Sequence, residues 1–246
     1  MVKDIGWPEK EAGAAVEPHE ILLVKLRELA KRGPIPVTKS GSGRFGLAIE
    51  EALGIRQNSD KAADFMGIEL KTKADKSLQT LFSRKPSRYA LGMDKKGMFD
   101  RHSYVDPKRG RRALYTSFSR KLDSLGFRLD VDGQVIRAER NGQAVLEYDA
   151  ADIEAALLSK HSRTAFISVQ PLTRNGRGFC TVERVSLCAR PAMTRFLQMV
   201  ASGDVFLDLT MSQAANGNVK DHGFLWRIRS ESLERLYLHI QDIDLA

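Results

Sequence analysis

Residues 61–73 read KAADFMGIELKTK, and Asp64, Glu69 and Lys71 interrupt what is otherwise an apolar run. Charged groups are the costliest to bury unpaired, so their presence here calls for a partner. Alternation along an extended strand sends Ile68, Leu70 and Thr72 one way and Glu69 and Lys71 the other, the latter two spaced roughly 7 Å along the chain. Asp64 has the wrong parity to join them on a straight strand. A bend at Met66-Gly67 removes the mismatch, because glycine tolerates the backbone angles of a turn or bulge. Two carboxylates brought together in this way suit a hard cation such as Mg²⁺, and a neighbouring lysine offsets charge that develops on a transferring phosphoryl group. The same spacing also fits a half-exposed strand whose outer face carries an ordinary Glu and Lys. The triplet alone leaves both readings open.

The elements that must position this stretch are partly visible. HEILLVKLRELAKR (19–32) repeats Leu22, Leu26 and Leu29 at helical spacing and ends at GPIP. Glycine-rich KSGSGRFG leads into LAIEEALG, a short helix stopped by Gly54; it lacks the G-K-[ST] ending of a nucleotide-binding loop. A strand is expected over 65–73. Residues 83–121 show few periodic apolar positions and read as long loops with short helical pieces. FRLDV, QVIRAE and AVLEY, separated by Asp132-Gly133 and Asn141-Gly142, predict a three-stranded meander. A helix (DIEAALLSK), a strand (TAFISVQ), a helix (AMTRFLQMVASG) and the strands VFLDLT and FLWRI complete the order. Residues 1–18 read as a loosely ordered arm.

Size and charge narrow the function classes. The chain has 246 residues, 42% of them hydrophobic, enough for one large domain or two lobes sharing a core. Cys180 and Cys188 form neither a disulfide framework nor a zinc motif, and no apolar segment approaches the about 18 residues of a membrane span. The expectation is a soluble protein of the reducing cytoplasm, with no membrane partner. Net charge is +8, and between Asp94 and Lys121 nine Lys or Arg face three Asp. Such a patch suits a polyanion such as DNA, or it is a solvated loop. No G-x-S-x-G elbow accompanies Asp221-His222, so nucleophilic catalysis has little support.

The assembly GRFGLAIEEALG, a short linker, DFMGIELKT and KSLQTLFSRKP resembles the MvaI and BcnI restriction endonuclease family, in the MutH-like branch of the PD-(D/E)XK nucleases. The likeness runs from about Gly41 to Pro86, continues through FRLDVDGQVIRAE and TAFISVQ, and returns in GDVFLDLT and DHGFLWRI. It implies a mixed α/β fold with a restriction-endonuclease-like central sheet flanked by helices and a MutH-like two-lobed architecture around a DNA cleft. The expected division is a catalytic lobe over 1–120 and a recognition lobe over 121–246. By resemblance, Asp64 and Glu69, with the main-chain carbonyl of Leu70, would bind Mg²⁺, for which Mn²⁺ can substitute. Lys71 would hold or activate the attacking water, and Glu50 would complete the carboxylate cluster. Ala63-Asp64 stands where the family has Pro-Asp; the proline shapes the turn and ligates nothing.

His222 and Arg227 match the family's DHG-x3-R pattern on a hairpin that contacts bases, and Lys220 falls where relatives vary. An arginine fork matches guanine O6 and N7, and histidine can donate to the same acceptors. The bland alternative is a turn histidine and a strand-edge arginine. Arg109, Arg111 and Arg112, with Lys108, would grip the backbone, a positioning role; Arg84, Lys85 and Arg88 would do the same nearer the active site. The implied activity is site-specific, Mg²⁺-dependent hydrolysis of double-stranded DNA by a monomer that nicks each strand in turn. A cognate DNA methyltransferase encoded nearby would be its genetic partner. The competing readings are a MutH-like mismatch-repair nickase and, from another class, a non-catalytic DNA-binding module.

Overall fold

The computed structural model describes residues 16–41, 43–55, 63–74 and 78–245. Most of the expected N-terminal arm therefore lies outside the described residues. The leucine stripe forms α1 (Pro18–Arg32), whose first turn is closed by Glu17 N donating to Glu20 Oε2 at 3.2 Å. β1 (Ile35–Pro36), α2 (Arg44–Ala52), β2 (Glu69–Lys73), β3 (Leu78–Ser83) and β4 (Arg88–Tyr89) follow. Then come α3 (Lys95–His102), β5 (Tyr104–Asp106) and β6 (Arg111–Phe118). The meander is β7 (Phe127–Asp132), β8 (Val135–Arg140) and β9 (Gln143–Asp149), followed by α4 (Ala150–His161), β10 (Arg163–Arg174) and β11 (Arg177–Pro191). The chain ends with α5 (Met193–Ser202), β12 (Val205–Gln213), β13 (Val219–Arg229) and β14 (Tyr237–Asp244). The mixed α/β class is as expected.

Two compact units interleave along the chain. One comprises the described parts of Met1–Ser77, Leu158–Pro191 and Tyr237–Ala246; the other comprises Leu78–Leu157 and Ala192–Leu236. The expected division at residue 120 is corrected. β11 and β10 from the C-terminal half pair with β1 and β2 from the N-terminal part, and this non-local hydrogen bonding leaves no mark in local sequence.

In the first unit the sheet order is β1-β11-β10-β2, with β14 also on β11. β2 runs parallel to β10, Glu69 opposite Thr164 and Lys71 opposite Phe166. Leu22, Leu26 and Leu29 of α1 and Ala48 and Ile49 of α2 bury against Ile68, Leu70, Ala165, Ile167, Val185 and Leu187. That packing anchors the strand carrying Glu69.

The second unit holds a five-stranded sheet, β3-β13-β12-β6-β5, and a four-stranded one, β4-β9-β8-β7. Trp226 of β13 joins them, with ring centroids 5.1 Å from Tyr148 of β9, 5.4 Å from Phe196 of α5 and 6.5 Å from Phe82 of β3. The basic segment is ordered where loops were expected. In β6, Leu114, Thr116 and Phe118 are buried against β12, so two flanking strands give the charged sequence an apolar side. The β7–β8 turn centres on Gly133-Gln134, one position later than expected, since Asp132 pairs with Val135. Among the described residues no helix is long and apolar enough to cross a membrane.

Trp226→Ala should cost about 3–5 kcal/mol of unfolding free energy by removing a fully buried ring shared by three elements. Urea denaturation followed by circular dichroism checks this.

Candidate functional site

Phe65 and Ile68 exchange both backbone hydrogen bonds, at 2.9 and 2.8 Å, across a two-residue turn in which Met66 has φ 47° and Gly67 φ 85°. This is the bend that the parity argument required. It swings Asp64 back so that its Oδ2 accepts from Leu70 N at 3.0 Å. The aspartate is thereby fixed beside the strand that carries Glu69 and Lys71.

Glu69 is 1% exposed, and its two oxygens have different surroundings. Oε1 accepts from Lys71 Nζ at 2.5 Å and lies 3.4 Å from Lys160 Nζ of α4. Oε2 is buried with no hydrogen-bond partner among the described residues. Burial raises the Glu69 pKa; Lys71 pulls against it, and the Asp64 charge adds to it. Glu50 stands at the edge of the same set. A Cβ placed on Gly46 would lie 4.0 Å from Glu50 Oε1 and 3.8 Å from Thr72 Oγ1, which sets the Glu50 carboxylate against β2. Its pKa is also raised, by burial first and the Asp64 carboxylate second, with Lys71 opposing. Beneath β2, Thr164 accepts from the buried Tyr237 hydroxyl at 2.9 Å and faces His161 Nδ1 at 3.3 Å.

Among the described residues no three acidic, histidine or cysteine side chains converge closely enough to hold an ion alone. An ion bound here would draw on the Asp64 and Glu69 carboxylates and main-chain oxygen, with Glu50 at the margin. A divalent cation fits this arrangement. The orphaned Glu69 Oε2 has no hydrogen-bond partner among the described residues, and Asp64 is exposed with Oδ1 left over from its bond to the strand, so both carboxylates keep an oxygen free for a cation.

The second unit presents a polar sheet face. Along β12, Leu207, Leu209 and Met211 point to the core, so Asp208 and Thr210 point away, with Ser212 on their side but buried. Cross-strand register adds Ser117 opposite Asp208, Tyr115 opposite Thr210, and Lys220 opposite Ser212. Without an irregularity, Lys220 and His222 would share the core side with Phe224 and Trp226. The register shifts between Leu209 and Met211, where His222 and Gly223, the latter at φ 92°, together oppose Thr210. This bulge turns Lys220 and His222 outward, and both are exposed. Arg227 lies on the same face, held by Asp208 Oδ2 at 2.7 Å, and Ser117 Oγ donates to the other Asp208 oxygen. Arg109 reaches it too, donating to Tyr115 Oη at 2.8 Å.

Thus Glu50, Asp64, Glu69, Leu70 and Lys71 come together in one unit, and His222, Arg227, Lys220, Arg109 and Arg111 share one sheet face of the other. Arg112 does not join them. Its parity carries it to the opposite side of β6, where it stands over Phe99 at 5.4 Å and pairs with Asp100 at 3.0 Å. Arg84 pairs with Asp152, and Arg88 with Glu147 and Asp149. Lys160, Thr164, Asp208, Ser117 and Tyr115 were missed. Their relevance comes from contacts made across long sequence separations, and no local pattern marks them.

Residues 23–237 match the model of the MvaI/BcnI restriction endonuclease family. A solved structure described as restriction endonuclease MvaI in complex with its cognate DNA substrate superposes with a TM-score of 0.76 at 20% identity, covering 95% of this chain and all of that one. MvaI in the absence of DNA gives a TM-score of 0.59 at 20% identity, covering 96% and 100%. No curated protein matches the sequence.

The raised Glu50 pKa has a definite sign for stability. The folded chain holds this proton more tightly than the unfolded one, so stability falls as pH rises above the ordinary glutamate pKa of about 4.3. Without divalent ions, Glu50→Gln should melt higher than the parent near neutral pH, and the advantage should vanish as the solution is acidified below that pKa. Melting curves across a pH series read this directly.

Proposed function

Because the chain belongs to the MvaI/BcnI restriction endonuclease family, we propose that it is a type II restriction endonuclease hydrolysing phosphodiesters of double-stranded DNA at a fixed short sequence. It works with Mg²⁺, for which Mn²⁺ can substitute, as a monomer that nicks one strand and then the other in a reducing cytoplasm. The observation that carries the reading is the buried Glu69, with one oxygen under two lysines and the other unpartnered beside Asp64. The described chain holds one such set, so cutting both strands takes two engagements or two molecules. That a superposing MvaI structure holds its cognate DNA supports the choice of substrate.

Asp64, Glu69 and the Leu70 carbonyl would hold the cation, with Glu50 directly or through water. When bound, it supplies Lewis-acid stabilisation of the charge that develops on the phosphoryl oxygens. Water attacks phosphorus in line and the 3′ oxygen leaves, so the product carries a 5′ phosphate. Lys71, which donates to Glu69 Oε1 in this structure, would orient the attacking water and donate to the phosphoryl oxygens. Lys160 remains on Glu69 when Lys71 turns to the substrate, so the carboxylate keeps a cation.

Base reading falls to the exposed face. Arg227, oriented by Asp208, offers its fork to guanine, His222 and Lys220 donate to neighbouring acceptors, and Arg109 and Arg111 hold phosphates. Arg112, tied to Asp100, contributes to the local positive field.

Purified protein with Mg²⁺ should linearise plasmid at one short sequence, with 5′-phosphate ends mapped by end-sequencing. Asp64→Asn, Glu69→Gln and Lys71→Ala should each lose about 100-fold or more in cleavage rate while retaining duplex binding in Ca²⁺. Weak nicking that depends on hemimethylation would favour the repair nickase; binding without cleavage in Mg²⁺ or Mn²⁺ would favour the binding module.

Arg227→Ala should relax base preference at one position, losing about 1–3 kcal/mol of discrimination. Arg111→Ala should weaken binding to all sequences alike and lower the salt dependence by about one counter-ion. Competition binding over a salt series separates the two.

A further inference from the structure

Two adjoining hollows open in the second unit between β4, α3 and the β8–β9 turn. The smaller, about 320 Å³, is lined by Arg101, His102, Arg140, Asn141 and Gln143. Each of these side chains carries an N–H donor, and none is an acid. The larger, about 660 Å³, shares Arg101, His102 and Gln143 and adds the apolar bodies of Tyr89, Leu91 and Met93. Glu147 on its wall is already held by Arg88 at 3.0 Å and by Arg137 at 3.1 Å.

The neighbouring arginines are neutralised: Arg88 also by Asp149, Arg112 by Asp100, Arg128 by Glu139 and Arg137 by Asp132. Among the described residues Arg101 and Arg140 pair with no carboxylate. Arg140 is half-buried and donates to Leu125 O at 3.1 Å and to His102 Nδ1 at 3.4 Å, with the Phe127 ring 5.0 Å from its guanidinium. Because arginine only donates, Nδ1 accepts and the ring proton sits on Nε2, a further donor. Burial first, then Arg140 and Arg101, hold the His102 pKa below its usual value. Positive charge partly withdrawn from water without a counter-charge is costly, and an anion removes that cost.

These hollows lie on the far side of the sheet from the reading face. His102 packs edge-on against Phe127 at 6.0 Å, and Phe127 against Phe118 at 4.9 Å. Phe118 is buried on the side of β6 opposite Tyr115 and Ser117. A duplex lying on the reading face is therefore across the sheet from Arg101 and Arg140.

The geometry points to a binding site for a nucleoside monophosphate, its phosphate held by Arg101, Arg140 and His102 and its base laid against Tyr89, Leu91 and Met93. Walls made only of donors select an oxyanion. The apolar chamber beside them has the size of a small-ligand site, and a ring with polar edges suits it, since Tyr89 offers aromatic surface and the Gln143 amide both donates and accepts. The site shares no residue with the carboxylate set or the base-reading group, so it stands apart from the nuclease reading.

Isothermal titration calorimetry of the full chain with adenosine and cytidine monophosphates, one purine and one pyrimidine, tests this. At least one should bind at about 1 mM or tighter, with inorganic phosphate and the parent nucleoside each about tenfold weaker or more. Arg101→Gln and Arg140→Gln should each lower that affinity about tenfold and cut plasmid like the parent. Arg101 is exposed and unpaired among the described residues, so its variant tests the phosphate contact without disturbing the fold. No saturable binding of either nucleotide, unchanged affinity in the Arg101 variant, or equal binding of the nucleoside overturns the site. Inorganic phosphate binding as tightly as the nucleotide overturns it too, because the apolar chamber then takes no part. So does nucleotide binding that Arg111→Ala weakens and duplex DNA displaces, since the anion then sits on the reading face. A parent that fails to cut DNA yet binds the nucleotide through Arg101 sinks the nuclease reading and leaves this site standing.

Discussion

A carboxylate almost wholly removed from water is the constraint on which the first unit turns. Glu69 buries a charge that solvation would otherwise hold at low cost. Lys71 and Lys160 stand against one of its oxygens, and the other is left bare. Burying a pair is weak support for stability, but removing one partner from it is strongly unfavourable. The surrounding elements make sense as a frame for this group. The two-residue turn returns Asp64 to the strand, α2 brings Glu50 within reach of the Asp64, Lys71 and Glu69 charges, and α4 delivers the second lysine. The parallel partner β10 sets Thr164, bonded by Tyr237, behind it.

The second unit solves a different problem with a similar economy of parts. A sheet must bury one face to exist, and what its other face displays is set by parity. The shift at Gly223 breaks that parity at one point, moving His222 and Lys220 from the core side of β13 to the side of Arg227, Thr210 and Tyr115. Asp208 then fixes the arginine fork, as Asp64 is fixed by the Leu70 amide in the other unit. In both places a short polar contact decides where a functional group points, and the apolar core decides only that it stays there.

The sequence reading captured the local geometry around Asp64 more fully than the order of the strands. Asp64, Glu69 and Lys71 lie within eight residues, and the bend was deducible from alternation and one glycine. β11 was passed over because its Val185–Ala189 run is buried throughout and shows no alternation; β14 and β6 were missed because charged residues stand among their apolar ones. In all three strands the pairing partner supplies what the local pattern lacks. Arg112 was grouped with its neighbour Arg111 by adjacency, yet successive strand residues face opposite ways, and only the β6–β12 register says which way is outward.

What the sequence determined by itself was chemistry at short range: helical stripes, Asn-Gly turns, and a carboxylate pair with its lysine brought together by a two-residue turn. These depend on interactions between residues a few positions apart, so the local order of side chains contains them. Tertiary structure alone decided that β2 lies beside β10, that Lys160 meets Glu69 from α4, and that a bulge turns Lys220 and His222 outward. Those outcomes come from burying apolar faces contributed by distant segments, a free energy that no single stretch of the chain carries.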